Sequence, residues 1–365
     1  MRGATGNSPA RAAVRWRSPI FCVASRRRWG PLSLWRADSG PPQIVFAAQY
    51  GARLRRGFVD CIPLLSAFRS KREAPTSAVA AGPADYERES LQALKDRLDR
   101  NLVIVDVGCR WGFAEAWDQL SPNVTLYGFD PDAEECERLR SLYKGKDVTL
   151  VAQALGSRSE ERTLYLTPEP ACSSLYKPDP VLTKSMPELH CASEIGSTTI
   201  SLATLIEWAL ANDIPQIDFI KLDTQGAELD VLRGGEQSLV PVRALEIEVE
   251  FNPIYIGQPL FGDVDRYLRD RGFVLWKLST FAHYSDRSYS GALPQPDHFF
   301  YDSEAATRPT FAGQLFWGHA YYVRAEMAAA AIDERSRDKA QFIRDAALMN
   351  VLGFSDLAAR LLKQA

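Results

Sequence analysis

The sequence has few of the features that build metal centres, disulfide frameworks or membrane spans. Its six cysteines include no C-x-x-C pair, and its four histidines form no H-x-x-H or H-E-x-x-H motif. These spacings argue against a metal site and a disulfide framework, and they favour a reducing compartment, here the cytoplasm. No run of 18 apolar residues is present, which argues against a transmembrane helix.

Acidic residues are scarce at one end of the chain only. Residues 1–83 hold 14 Lys and Arg against three acids, although the net charge of the whole chain is −3. The rest therefore holds 29 basic against 43 acidic residues, which argues against a nucleic-acid substrate because phosphate contacts require a basic surface. We predict a disordered basic extension over residues 1–83; a transit segment and translation from a misplaced start are the alternatives.

The chain is long enough for one large domain. It has 365 residues, of which 46% are hydrophobic, so a sizeable core can form. We predict a folded domain over residues 84–325 and a helical C-terminal tail over residues 326–365. The spacing of Leu357, Leu361 and Leu362 predicts either a docked helix pair or a homo-oligomer contact.

A short apolar run is followed directly by two glycines. Residues 102–107 predict a buried parallel strand that carries Asp106 near its end, and Gly108 and Gly112 frame a tight turn. The spacing of Phe113, Trp117 and Leu120 predicts a helix directly after this turn. A dinucleotide fingerprint would read G-x-G-x-x-G and leave room for a pyrophosphate. S-adenosylmethionine carries no phosphate, but it does carry an ammonium and a sulfonium, so an acid at the strand tip suits it. In such a unit, backbone amides at the helix start also meet the ligand closely.

A second predicted strand, residues 124–129, also ends in an acid, Asp130. It lies 24 residues after Asp106, and a carboxylate about 20 residues beyond such a turn commonly receives ribose hydroxyls. Two acids at successive strand tips therefore predict a site for an adenosyl ligand. Gln153 follows a third predicted strand and is a candidate for adenine contact, with a plain loop role as the alternative.

The most specific segment runs from residue 217 to residue 234. A strand carries Lys221 and ends in Asp223, Gly226 makes the turn, and a helix follows. Open α/β sheets bind ligands outside the carboxyl ends of their strands, so Asp223 is expected at the junction of cofactor and substrate. For Lys221 and Glu228, the alternative is an ion pair that fixes the turn.

The next strand alternates apolar residues with three glutamates. A buried charge is expensive unless it is paired, so we predict a structural partner for Glu246. Glu248 and Glu250 remain candidates for the substrate side of the site.

Four motifs in order resemble the FkbM family of S-adenosylmethionine-dependent methyltransferases over roughly residues 100–325. They are D-V-G-C-R-W-G (106–112), G-F-D-P-D (128–132), A-L-G (154–156) and I-K-L-D-T-Q-G-A-E-L-D-V-L-R-G (220–234). The chain departs from the family at Gln225, where Glu is usual, and at residues 109–111, where the family commonly has A-N-x.

The resemblance implies a fold. It is an α/β, Rossmann-like class I methyltransferase fold with a mostly parallel seven-stranded sheet and helices on both faces. Residues 272–278 and 319–323 are expected to form the antiparallel strand pair that closes this sheet.

The resemblance also implies an activity, namely methyl transfer from S-adenosylmethionine to a hydroxyl of a sugar, glycan or other secondary metabolite. Because the sequence shows no metal-ligand cluster, we expect this chemistry to be metal-independent. The residues expected to bind the cofactor are Asp106, Gly108, Gly112, Asp130 and Gln153. Asp223 is the first candidate for the general base, unless it orients the methionine end of the cofactor. His283, on a long aromatic loop expected to be a lid (residues 279–313), is the second candidate. The alternatives are a catalytically silent binding module with the same fold and an NAD-dependent oxidoreductase.

Overall fold

The computed structural model describes residues 91–214, 216–284, 300–301, 314–329 and 338–365. The predicted extension, residues 1–83, lies outside these ranges, as do residues 285–299 and 302–313 of the predicted lid. The strands are β1 Leu102–Val107, β2 Val124–Phe129, β3 Val148–Val151, β4 Ala154–Leu155, β5 Glu160–Leu166, β6 Gly196–Ala203, β7 Phe219–Leu222, β8 Ala244–Glu250, β9 Phe273–Tyr284, β10 Phe300–Tyr301 and β11 Gln314–Arg324. The α-helices are α1 Leu91–Lys95, α2 Ala133–Leu142, α3 Leu182–Ser185, α4 Leu205–Ala211, α5 Glu228–Gly234, α6 Phe261–Arg269, α7 Ala325–Ala328, α8 Lys339–Val351 and α9 Ser355–Leu362.

The main sheet confirms the predicted fold class. Within the described residues its strand order is β10-β9-β11-β8-β7-β1-β2-β3. The strands from β8 to β3 pair in parallel, and β11 lies antiparallel between β8 and β9. The closing antiparallel pair is longer than predicted, and the two-residue strand β10 adds an eighth, antiparallel member at the edge.

A separate three-stranded sheet was not predicted. Strand β5 pairs antiparallel with β6, and β4 pairs with β6 in parallel. The residues just after β6 explain where α4 begins. The Thr204 hydroxyl accepts a hydrogen bond from the Glu207 amide, and the Glu207 carboxylate accepts one from the Thr204 amide. This capping box starts the helix at Leu205.

The segment after the glycine turn differs from the prediction. A 3₁₀ helix over Glu115–Leu120 replaces the α-helix expected from Phe113. The spacing of Phe113, Trp117 and Leu120 nevertheless buries all three side chains. The apolar positions were therefore read correctly, and the type of helix was not.

Both faces of the main sheet are buried by helices. One face places Val105 of β1 in a cluster with Leu205 of α4, Leu229 of α5 and Leu268 of α6. The opposite face places Ile104 in a cluster with α1, the 3₁₀ helix, α2, α8 and α9. Alternate residues of a strand point to opposite faces, which is why neighbours in β1 belong to different clusters.

The C-terminal helices belong to this second cluster. Leu357 and Leu361 have 1% and 0% of their surface exposed, and they share the cluster with Ile104. Two ion pairs hold α8 in place, one between Arg243 and Asp345 at 2.8 Å and one between Arg344 and Asp99 at 2.6 Å. The leucines that predicted either a docked pair or an oligomer contact thus pack within their own chain.

Candidate active site

On the face covered by α8 and α9, each central strand changes from apolar to charged along its length. In β1 the apolar Ile104 is followed two residues later by Asp106, and in β7 Phe219 is followed by Lys221. In the parallel register, Lys221 lies beside Asp106 of β1 and Glu246 of β8 lies beside Lys221. The three charged residues therefore form one row across the strands. The charged residues lie toward the carboxyl ends of the parallel strands, where α/β sheets bind ligands.

A second polar row lies one step closer to that edge. Asp223 follows β7 directly, and Glu248 lies in β8 two residues beyond Glu246. His319 of β11 is directly opposite Glu248 in the antiparallel register. Cross-strand partners point to the same face, so the imidazole and the carboxyl group share one surface.

Lys221 is held between two acids. Its Nζ atom lies 3.5 Å from Oδ1 of Asp106 and 3.3 Å from Oδ2 of Asp223. Burial raises the pKa of Asp106 to about 6, with Lys221 opposing the rise. Burial also acts to raise the pKa of Asp223, but the charges of Lys221 and His319 outweigh it and lower that pKa to about 2. Asp223 is therefore a fixed negative charge at the end of β7.

The predicted ion pair between Lys221 and Glu228 does not form. The Glu228 carboxylate instead accepts hydrogen bonds from the backbone amides of Thr224, at 2.6 Å, and Gly226, at 3.3 Å. Glu228 is 2% exposed, and burial raises its pKa to about 7. This side chain fixes the turn after β7 through the backbone rather than through Lys221.

Gln225 connects the ends of β7 and β8. Its amide nitrogen donates to Asp223 at 3.1 Å and to Glu248 at 2.7 Å, and its amide oxygen lies 3.0 Å from the Tyr255 hydroxyl. Its φ of 57° is unusual for a residue other than glycine. A glutamate here, as in the family pattern, would have no amide hydrogens to donate to the two acids.

Glu246 has the structural partner that the sequence predicted it to need. Nδ1 of His319 lies 2.9 Å from Oε1 of Glu246. Burial acts to raise the pKa of Glu246, and the hydrogen bond with His319 outweighs this effect and lowers it. His319 was not among the predicted site residues, because its contact with Glu246 joins residues that are 73 positions apart.

Glu248 and Glu250, the candidates for the substrate side of the site, are both buried. They are 7% and 3% exposed, and burial raises the pKa of both well above the usual range. Burial therefore favours the uncharged form of both side chains.

The glycine turn brings the tips of neighbouring strands together. Gly108, with φ of 86°, donates its amide hydrogen to the carbonyl oxygen of Phe129 at 2.9 Å. Gly112, with φ of 91°, lies beside the hydroxyl of Tyr143, which accepts a hydrogen bond from the amide of Phe113 at 2.8 Å. These amides, which the sequence predicted to meet a ligand, are used within the chain, and the glycines instead allow close approach.

Asp130 lies at the tip of β2 and is 4% exposed. Its Oδ1 atom accepts a hydrogen bond from the Asp132 amide at 2.8 Å and lies 3.7 Å from Arg110 of the glycine turn. Within the described ranges, its Oδ2 atom accepts no hydrogen bond. Burial raises the pKa of Asp130, opposed in part by Arg110. One carboxylate oxygen thus holds the turn, and the other is available to a ligand.

Gln153 contacts β6, and His283 lies within β9. The Gln153 amide donates to the carbonyl oxygen of Ser201 at 2.7 Å, which turns it toward β6. His283 lies within β9, paired with Leu315 of β11, and not on a loop as predicted. No hydrogen bond or ion pair joins His283 to Asp223 in the part of the chain that the structure describes.

Metal-ligating clusters and membrane-spanning helices are both absent from the described ranges. No group of three or more His, Cys, Asp or Glu residues there is arranged to hold a metal ion. None of the helices there is both long enough and apolar enough to cross a bilayer.

Comparison with known proteins confirms the family resemblance. The Methyltransferase FkbM domain matches residues 111–275. The chain is 28% identical over 163 residues to the 2-O-methyltransferase NoeI of Sinorhizobium fredii, covering 43% of this chain and 66% of that protein. It is 21% identical over 196 residues to the hexuronic acid methyltransferase AglP of Haloferax volcanii, covering 52% of this chain and 76% of that protein.

Solved structures of methyltransferases also resemble the chain at a distance. Magnesium protoporphyrin IX methyltransferase (ChlM) from Synechocystis, with bound SAM, is 11% identical, with a TM-score of 0.29 and coverage of 67% of this chain and 86% of that chain. SMU.1697c from Streptococcus mutans, a putative methyltransferase in complex with SAH, is 12% identical, with a TM-score of 0.27 and coverage of 66% and 100%. The assignment of the fold depends on the strand order given above and not on these scores.

Proposed function

We propose that this FkbM methyltransferase domain transfers a methyl group from S-adenosylmethionine to a hydroxyl of a sugar or glycan. The observation that carries the proposal is the position of Asp106, Asp130 and Asp223. They lie at the carboxyl ends of β1, β2 and β7, which are adjacent in the sheet. Three acids at one edge suit a donor that carries positive charge, because opposite charges attract strongly where water is partly excluded.

The residues at this edge fit the cofactor. The Oδ2 atom of Asp130 is available to accept hydrogen bonds from ribose hydroxyls, as acids at this position commonly do. Asp106 and Asp223 share the single cation of Lys221, so the group retains negative charge when both acids are ionised. S-adenosylmethionine, when bound, supplies a methyl group activated by the adjacent sulfonium.

The names of the relatives support a sugar hydroxyl as the acceptor. One relative is a 2-O-methyltransferase and the other is a hexuronic acid methyltransferase. Methylation of an oxygen on a sugar ring would combine the two descriptions. The particular sugar cannot be taken from the fold, because one scaffold accommodates many substrates.

The main task of the chain is to hold the acceptor oxygen in line and to exclude water. Asp223 is suited to this role, since Lys221 and Gln225 fix its carboxylate at 3.3 Å and 3.1 Å. Its low pKa keeps it ionised, so it can accept a hydrogen bond from the incoming hydroxyl and orient it.

The proposal is tested with the full chain and methyl-labelled S-adenosylmethionine. The acceptors are a panel of methyl hexopyranosides and N-acetylhexosamine oligosaccharides, with NAD supplied in parallel reactions. We expect a labelled methyl ether and an equal amount of S-adenosylhomocysteine. Cofactor binding with no transfer to any hydroxyl would support the silent binding module, and reduction of NAD would support the oxidoreductase.

A further inference from the structure

The proposed reaction requires a proton acceptor, because an unactivated hydroxyl must lose its proton as its oxygen is methylated. Asp223 is poorly suited to that task. Lys221 lies 3.3 Å from its carboxylate and Gln225 lies 3.1 Å away, and both contacts stabilise the ionised form. A carboxylate stabilised in this way has little tendency to take up a proton. A different group on the same surface is therefore needed as the base.

His319 has the geometry of an oriented base. Its Nδ1 atom lies 2.9 Å from Glu246, which is the arrangement that fixes the ring and its tautomer. With the Nδ1 proton donated to the carboxylate, the lone pair of a neutral imidazole is on Nε2. The side chain keeps 13% of its surface exposed, and no partner of Nε2 is found in the described part of the chain.

The sheet register places His319 beside the proposed acceptor site. His319 is opposite Glu248, which is joined through Gln225 to Asp223. Strand β11 is two strands from β7, a separation of roughly 10 Å at the usual strand spacing. An acceptor hydroxyl can lie between two groups at that separation. Asp223 would then orient one side of it, and the imidazole would meet the other.

We propose that His319 is the general base of the methyl transfer and that Glu246 is its positioning residue; this inference rests on the proposed function. The acceptor oxygen forms a bond to the methyl carbon as the carbon–sulfur bond breaks, with its electron pair remaining on sulfur. The hydroxyl proton passes to Nε2 of His319. The resulting imidazolium is stabilised by the ionised Glu246 until the proton leaves to water.

The charged and titratable groups facing His319 come from three strands. They are Glu246 and Glu248 on β8, Asp223 at the end of β7, and Lys277 on β9, which is opposite the residue two positions beyond His319. Glu246 is the group in hydrogen-bond contact, so it has the strongest effect on the imidazolium.

The test compares His319→Gln and Glu246→Gln with the wild-type full chain, using the acceptor panel described above. His190→Gln, a change at an exposed histidine in the 3₁₀ helix Pro187–Ala192 that precedes β6, is the matched control. We expect His319→Gln to lower kcat by about 10²-fold or more with little change in the affinity for S-adenosylmethionine. It should also remove the ascending limb of the pH–rate profile. Glu246→Gln should retain the limb and lower kcat by a smaller factor, because the ring loses the carboxylate that orients it.

A second readout does not depend on turnover. In NMR spectra of the free protein, the Nδ1 proton of His319 should resonate farther downfield in wild type than in Glu246→Gln, because its hydrogen bond to a carboxylate is charge-assisted. Identical Nδ1 proton signals, or a pH–rate limb retained in His319→Gln, would overturn the assignment while leaving the methyltransferase intact. A wild-type chain that binds S-adenosylmethionine but methylates no hydroxyl would overturn the proposed function, and the base with it.

Discussion

Gly108 lies directly against the backbone of Asp223. A Cβ atom at Gly108 would be 1.9 Å from the carbonyl oxygen of Asp223, a distance that no side chain can occupy. The Asp223 amide also donates to the carbonyl oxygen of Val107 at 3.0 Å. The first and last sequence motifs therefore meet at one point, where β1 and β7 end side by side.

Gly108→Ala should consequently disrupt both the fold and the site. Gly145→Ala is a matched control, because Gly145 has the same φ of 86° and nothing within 4 Å of its Cβ position. The control should lose about 1 kcal/mol in free energy of unfolding, and Gly108→Ala should lose ~1–3 kcal/mol more and bind S-adenosylmethionine less tightly. Urea unfolding and calorimetry measure the two effects, and equal losses for both variants would contradict the close contact.

Asp130→Asn should weaken the binding of S-adenosylmethionine. Asparagine can still accept the hydrogen bond from Asp132, so the turn is kept while the charge offered to the ribose hydroxyls is lost. We expect a loss of about 1–3 kcal/mol in binding free energy by calorimetry. Asp118→Asn, at an acid paired with Lys146 and 57% exposed, should bind as wild type does. Unchanged affinity in Asp130→Asn would remove Asp130 from the site.

Asp223→Asn should slow methyl transfer far more than it weakens cofactor binding. The variant keeps an oxygen for the Gln225 amide but loses the charge that Lys221 stabilises and that orients the acceptor. We expect kcat to fall by roughly 10²-fold, the effect of a misplaced reacting group, with a much smaller change in Kd. Similar losses in both quantities would make Asp223 a cofactor anchor instead.

The pH dependence of stability should carry the signature of Glu228. Burial raises its pKa from 4.5 to about 7 in the folded chain, so the native state binds more protons than the unfolded state between these values. Its contribution to stability is complete below pH 4.5 and is lost as the pH rises through about 7. As the pH rises from about 5 to 8, the free energy of unfolding should therefore fall by up to ~3 kcal/mol less in Glu228→Gln than in wild type. The free energy of unfolding is measured at several pH values. Glu137→Gln, at an exposed position of α2, is the control.

The C-terminal helices should behave as part of the methyltransferase domain. Leu361→Ala removes a side chain with no exposed surface from the cluster that contains Ile104, and we expect a loss of about 2–5 kcal/mol in unfolding free energy. Leu362→Ala, at a half-buried neighbour, should lose less than half as much. Urea unfolding measures both variants, and equal small losses would show that the tail contributes little to the core.

Features encoded within a short stretch could be predicted from the sequence. The apolar runs of β1, β2 and β7, each followed by an acid, predicted both the strands and the position of the charged edge. The spacing of apolar residues also indicated the buried faces of α2 and of the segment after Gly112. Because α/β sheets follow strong topological rules, these local features were enough to identify the fold.

Features that depend on pairing between distant residues could not be predicted. His319 meets Glu246 only because β11 inserts antiparallel beside β8, and nothing local to either strand specifies that register. The contact of Lys221 with Asp106 was likewise missed, because it joins β7 to β1 across 115 positions of the chain. His283 was misplaced on a loop because β9 continues six residues beyond the end predicted from its hydrophobic pattern.

The most direct test of the central claim is calorimetric titration of the full chain with S-adenosylmethionine, S-adenosylhomocysteine and NAD. The account predicts saturable binding of one S-adenosylmethionine per chain, competition by S-adenosylhomocysteine, weakened binding in Asp130→Asn, and no binding of NAD. Binding of NAD in place of S-adenosylmethionine, or no binding of either, would contradict the claim that the acids at the ends of β1, β2 and β7 receive a positively charged adenosyl donor.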